Sequence, residues 1–165
     1  MPVFDAQFLI RTSTDIFAAA GMRPDEARIV AEELVEANCA GHDSHGVIRI
    51  PQYLGQIAAG DIVPDAEIEI VREAPVLAVL DAHWGFGQVA MRRGVELGLE
   101  KAKAAGMAAI AVHRANHVGR LGSYVEDIAR QDVVAQLFVN GAPTCRMAPW
   151  GGRELSAEGA ARIVD

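Results

Sequence analysis

The chain is short of thiols, aromatic rings and positive charge, and each shortage closes off a class of function. Its two cysteines, Cys39 and Cys145, show no metal-ligand spacing, so neither a disulfide framework nor a thiolate metal centre is expected. Lys and Arg number 15 against 22 Asp and Glu, a net charge of -7. Non-specific nucleic-acid binding needs a basic face, so a nucleic-acid partner is not expected. No apolar run reaches the roughly 18 residues of a membrane span. The start Met1-Pro2-Val3-Phe4-Asp5 has no basic region followed by an apolar stretch. We therefore expect no membrane partner and a reducing, cytoplasmic location. What remains is 165 residues, 51% hydrophobic and 22% charged, which reads as one folded domain with a real core.

What is present is patterned. Residues 5 to 20 are expected to be helical, and 24 to 40 more clearly so. Pro24 suits the first turn of that second helix, Asp25 and Glu26 suit its positive end, and Ala27, Val30, Ala31, Leu34 and Val35 make one apolar stripe. A shorter helix is expected from about Pro51 to Ala59, ended by Gly60. The alternation at 67 to 72 and the apolar run 76 to 80 predict strands. A long helix should cover 88 to 105, with Met91, Val95, Leu99 and Ala102 facing inward. Gly94 and Gly98 would let another backbone approach it, at some cost in helix propensity. Residues 107 to 113 read as a buried strand and 133 to 139 as another. Between them Leu121, Tyr124, Val125, Ile128 and Ala129 give a helical stripe. This order predicts an α/β fold with helices packed on a sheet. Asn140 to Gly152 has a loop composition, and Glu154 to Asp165 is a candidate short helix with little apolar surface.

The chemistry gathers in two connections. Gly41-His42-Asp43-Ser44-His45-Gly46-Val47-Ile48-Arg49 places two imidazoles, a carboxylate, a hydroxyl and a guanidinium after a helix, and Asn116-His117-Val118-Gly119-Arg120 lies between a strand and a helix. An imidazole titrates near pH 6.5, about where a general acid or base is useful, so His45 facing a carbonyl or hydroxyl is a candidate for that role. The planar fork of Arg49 suits a carboxylate, and Ser44 can donate to the same carboxylate or to the reacting oxygen. These groups together suit a small 2-oxo or 2-hydroxy acid. Plainer readings stand beside these. Ser44 and Asp43 are also typical helix caps, and Arg49 a typical surface ion-pair residue. His42 can simply be solvated, His117 can satisfy a loop backbone, and His83 and His113 read as structural. Gly85-Phe86-Gly87-Gln88 mimics a phosphate-binding turn but lacks the third glycine of a dinucleotide fingerprint. Gly119-Arg120-Leu121-Gly122-Ser123 is little stronger.

The run from Gly41 through Arg49 and on through Ile50-Pro51-Gln52-Tyr53-Leu54 resembles the signature of the malate/L-lactate dehydrogenase type 2 family. That family includes ureidoglycolate, L-sulfolactate, diketogulonate and piperideine-carboxylate oxidoreductases. The resemblance continues through Gly85 to Gln88, through Ala115 to Tyr124, and through Ala148-Pro149-Trp150-Gly151-Gly152-Arg153-Glu154. It implies an NAD- or NADP-dependent oxidoreductase that is not a Rossmann protein. A helical region, 1 to 60, would sit beside part of an α/β cofactor-binding domain, 61 to 154, and the active unit would be a homodimer. It also implies His45 and His117, ranked equally, as catalytic acid/base groups, Ser44 and Arg49 in the substrate pocket, and Asn140 and Gly141 at the cofactor. In the implied reaction a hydride reaches a 2-oxo or imino carbon while protonated His45 or His117 donates to the developing oxyanion or nitrogen.

Residues 155 to 165 depart from the family, whose members are longer, and this reads as a truncated or shifted frame or a fragment. Lost packing partners would make such a chain marginal and association-prone. Two other classes stay open: a non-catalytic remnant that keeps oligomerisation surfaces, and a metal hydrolase using His42, His45 and His117. The spacing of His42 and His45 on a loop gives the metal reading weak support.

Overall fold

Asp5 starts the first helix by accepting a hydrogen bond from the Phe8 amide at 2.9 Å, which gives α1 (Ala6–Ala19). Pro24 then opens α2 (Pro24–Cys39), with Asp25 and Glu26 in its first turn. All five residues of the expected α2 stripe are buried, and Ala27, Val30 and Leu34 share a core with Phe17 of α1 and Met22 in the intervening turn. After two 3₁₀ turns, Asp43–His45 and Val47–Arg49, α3 runs over Ile50–Ala59. It ends at Gly60, whose φ of 80° is a conformation glycine adopts without strain. The structure is a computed structural model that describes residues 3 to 140 and the strand pairs at 146–147 and 155–156. The chain divides into two units, Met1–Ala135 and Gln136–Asp165.

In the first unit, β1 (Glu69–Ala74) pairs antiparallel with β2 (Leu77–Asp81), which pairs parallel with β3 (Ala109–His113). The parallel pair is linked by α4 (Gly87–Ala105), a β-α-β crossover, and α5 (Leu121–Ala129) follows β3. The face of α4 differs from the expected one. Ala90, Gly94, Leu97 and Lys101 are buried, while Met91, Val95, Leu99 and Ala102 are only half-buried. The cause is close approach of the sheet: a Cβ on Gly98 would lie 3.2 Å from Ile110, and one on Gly94 would lie 3.5 Å from Ile110 and 3.6 Å from Val112. The two glycines thus admit β3 side chains, not another backbone. On α5 only Ser123 and Tyr124 are buried, and Ala129 is exposed.

One core joins the helices to the segment before α4. Phe17, Tyr53 and Phe86 meet with ring centroids 5.6 to 6.3 Å apart, surrounded by Val30, Leu34, Ile62 and Val89. Burial of each such side chain contributes roughly 1.5–3 kcal/mol. Residues 133 to 139 form no strand, against expectation. Apolar, β-branched composition supplies propensity, but a strand exists only where a neighbouring ladder takes up its amides and carbonyls. In the second unit β4 (Arg146–Met147) pairs antiparallel with β5 (Leu155–Ser156), so Leu155 and Ser156 are extended where a helix was expected. The remainder of that expected helix lies outside the described residues. No helix among the described residues is long and apolar enough to cross a membrane.

Candidate functional site

The histidine loop between α2 and α3 is held by Asn38. Its Nδ2 donates to Asp43 Oδ1 at 2.6 Å, and its Oδ1 accepts from the Val47 amide at 2.9 Å. A Cβ on Gly46 would fall 2.2 Å from Asn38 Oδ1, so only glycine leaves room for this clamp. Asp43 is therefore a loop brace, and neither it nor Ser44 caps a helix with its side chain. Ser44 Oγ lies 3.0 Å from His45 Nδ1. Arg49 donates from Nε to the Ser44 carbonyl at 2.5 Å and from Nη1 to Gln52 Oε1 at 2.7 Å. Two of its five N–H donors are engaged in this way, and among the described residues it makes no ion pair. The ion-pair reading of Arg49 is not realised. His45 and Arg49 sit on successive 3₁₀ turns, not on one helical face.

His117 arrives from the connection between β3 and α5. That connection is pinned by Asn116, whose Nδ2 donates to the carbonyls of Trp84 at 2.6 Å, Asp61 at 3.1 Å and Gly85 at 3.3 Å. A Cβ on Gly87 would lie 2.2 Å from the Asn116 carbonyl oxygen. The Gly85-Phe86-Gly87 turn is thus the seat of the 116–117 backbone. His117 comes to rest with its ring centroid 5.1 Å from that of His45, which in turn lies 4.7 Å from His42. The fold brings together three imidazoles separated by up to 75 positions, from His42 to His117, with Ser44 and Arg49 beside them.

Burial is the main electrostatic force here. It lowers the His117 pKa to about 4, helped by the positive charge of Arg49 and then by His45. His45 is lowered as well, first by burial, then by His42 and Arg49. Both imidazoles are therefore neutral near pH 7 in the ligand-free chain. Two residues missed in the sequence complete the site. Tyr53, 1% exposed, places its hydroxyl 2.6 Å from His117 Nδ1 and accepts from Gln88 Nε2 at 2.9 Å. Burial pushes the Tyr53 pKa up to about 12, so the phenol stays protonated. A signal existed: a tyrosine among core residues needs a partner for its hydroxyl, and Gln88 stands at the start of a helix otherwise facing the core.

Neither glycine turn fits a dinucleotide. The first is occupied by the 116–117 backbone. In the second, Arg120 is bound by Glu36 and Glu126, and the Ser123 hydroxyl donates to Glu33. Asn140 belongs to the second unit, and Gly141 lies outside the described residues. An open groove of about 460 Å³ is lined by Gln56, Gly60, Asp61, Trp84 and Asn116, and by none of the histidines. Among the described residues no three His, Cys, Asp or Glu side chains are disposed to hold a metal ion. His83 and His113 lie apart from the cluster, around Asp81 and Arg114 at the ends of β2 and β3.

The profile of the malate/L-lactate dehydrogenase family matches residues 4 to 156. This chain belongs to that family. Among its relatives, hydroxycarboxylate dehydrogenase B of Escherichia coli is 39% identical over 151 residues, which are 92% of this chain and 42% of that protein. The NADP(+)-named (2R)-3-sulfolactate dehydrogenase of Chromohalobacter salexigens is 39% identical over 135 residues, 82% of this chain and 40% of that one. The solved sulfolactate dehydrogenase of Methanocaldococcus jannaschii superposes with a TM-score of 0.77 at 35% identity, covering 79% of this chain and 38% of its own. The family resemblance read from the histidine loop is thereby established, as is the α/β class. The chain spans about two fifths of the length of these family members.

Proposed function

We propose that the histidine cluster is the substrate side of an oxidoreductase site for small 2-hydroxy and 2-oxo acids, with NAD or NADP as the redox partner. One observation carries this reading: the Arg49 guanidinium, without a carboxylate partner among the described residues, stands beside two neutral imidazoles. Such a fork binds a carboxylate in a bidentate manner, and the hydroxyl of Ser44 adds a donor. The adjacent imidazoles then face the oxygen at the next carbon. In alcohol oxidation a neutral imidazole takes the hydroxyl proton, and in reduction an imidazolium returns it. The nicotinamide, when bound, supplies or accepts the hydride. Its contacts are proposed at Asn140 and Gly141, as the family resemblance implies. The names of the relatives, hydroxycarboxylate and sulfolactate dehydrogenases, support the substrate class, and one of them supports NADP.

A bound carboxylate offsets the Arg49 charge, and this raises the pKa of both His45 and His117. The test follows histidine titration by NMR with and without a 2-oxo acid, alongside NADH and NADPH oxidation. Upward shifts that vanish in Arg49→Ala are expected. Titrations indifferent to the acid would sink the carboxylate site. Loss of the proton-transferring imidazole is expected to lower turnover about 10²–10⁴-fold. Because kcat/KM reports the free enzyme, oxidation should lose rate only below about pH 6.5 and stay level above it.

A further inference from the structure

The three-membered chain Gln88–Tyr53–His117 determines more than position. Gln88 is completely buried, at 0% exposed, and its Oε1 has no partner among the described residues. Its Nε2 donates to the Tyr53 oxygen, so the single phenol proton is left for His117 Nδ1. A nitrogen that accepts carries no proton, and in a neutral imidazole the proton must then be on Nε2. The reverse order would need the amide turned round: Gln88 would accept from Tyr53, and Tyr53 from His117 Nδ1–H. That rotation would strand an NH₂ group where Oε1 now lies. Buried orphan N–H groups are rarer than under-satisfied carbonyl oxygens, so the rotated form is the costlier. Close packing also holds the side chain in place, since a Cβ on Gly119 would lie 3.4 Å from Gln88 Cγ.

We propose that Gln88 is a positioning residue which, through Tyr53, holds neutral His117 in the tautomer protonated on Nε2. This inference rests on the reading of the cluster as a 2-hydroxy-acid site only for its functional meaning. There it separates two roles that the sequence left equal. His117 becomes a neutral N–H donor to the substrate oxygen, stabilising charge that develops there without itself becoming a cation. Proton exchange falls to His45, whose Nδ1 faces only the rotatable Ser44 hydroxyl. An Nε2–H on His117 is a poor base, so it cannot share that task.

The experiment uses the full chain with nitrogen-15 histidine, near neutral pH and without substrate. Long-range proton–nitrogen correlations read the protonation of each ring nitrogen. The His117 signals should be split, with a protonated-type Nε2 and an unprotonated-type Nδ1. In Gln88→Met, close in shape but without the amide, the split should shrink towards the averaged position of freely exchanging tautomers. Tyr53→Phe should do the same, and Gln88→Met in the Tyr53→Phe background should add no further shift. A proton on Nδ1 in the unmutated chain would overturn the proposal even if no variant folds. An unchanged split in folded Gln88→Met would overturn it too, as would a further shift in the double variant. None of these signals depends on turnover, so they stand whichever way the carboxylate test falls.

Discussion

Glu33, buried, and His117, half-buried, are titratable groups of the same unit in opposite company. Glu33, with 1% of its side chain exposed, has Arg92 at 2.6 Å and receives the Ser123 hydroxyl at 2.7 Å. Arg92 continues to Asp127 at 2.6 Å, and nearby Arg120 is shared between Glu36 at 2.6 Å and Glu126 at 3.0 Å. Every charge in that cluster, between α2, α4 and α5, meets its opposite. Around His117 no carboxylate pairs with an imidazole or with Arg49 among the described residues, and the one acid in the loop, Asp43, is taken by Asn38. The first cluster is complete without a ligand. The second leaves Arg49 without a carboxylate among the described residues, and burial, aided by that charge, keeps its imidazoles neutral. The difference separates a polar cluster that serves the fold from the one we propose receives an outside anion.

The largest effect should come from breaking the compensated cluster. Arg92→Leu leaves Glu33 as a buried charge with only a hydroxyl for company, and we expect a loss of roughly 3–5 kcal/mol in urea unfolding. The histidine titrations should change little.

Acid should distinguish the clusters next. With its folded pKa at about 4, His117 resists protonation that the unfolded chain accepts near 6.5. Stability is therefore full above about pH 6.5, falls as pH drops, and levels off below about pH 4, a loss approaching ~3 kcal/mol. His117→Asn should flatten that part of the curve; an equally steep fall would assign it to other groups. Glu33 acts in the opposite sense. Burial raises its pKa above that of a free carboxylate, Ser123 and Arg92 opposing, so mild acid is expected to relieve it.

Smaller still is Tyr53→Phe, which removes two hydrogen bonds but keeps the ring. A loss of about 1–2 kcal/mol in the thermal or urea midpoint is expected, most of it from leaving Gln88 without its acceptor. The smallest is Arg28→Ala. Its pair with Glu32 at 2.7 Å is exposed and screened by solvent, and no measurable change is expected in the same assay.

The sequence made the helices and the three-stranded sheet legible because each rests on a local signal: Pro24 and its acids, the Ala27–Val35 stripe, Gly60 as a stop. Residues 133 to 139 misled because strand composition says nothing about who pairs with it. The buried face of α4 was misjudged because Gly94 and Gly98, with no side chains to score, mark the contact with β3. The same limit applied at the site. His45, Ser44 and Arg49 stand out because they crowd into one loop, whereas Tyr53 lies in an apolar stripe and Gln88 in a glycine turn. Their bond to each other spans 35 positions, and no local pattern announces it.

Tyr53 also unites two kinds of motion. Its ring is packed between Phe17 and Phe86, while its oxygen lies on the axis about which the ring turns. A half-turn of the phenol exchanges the ring edges against the core and leaves the oxygen where it was. The core around Phe17 can therefore breathe through ring flips while the hydrogen bonds to Gln88 and His117 remain closed, as on a door whose hinge pin carries the wire.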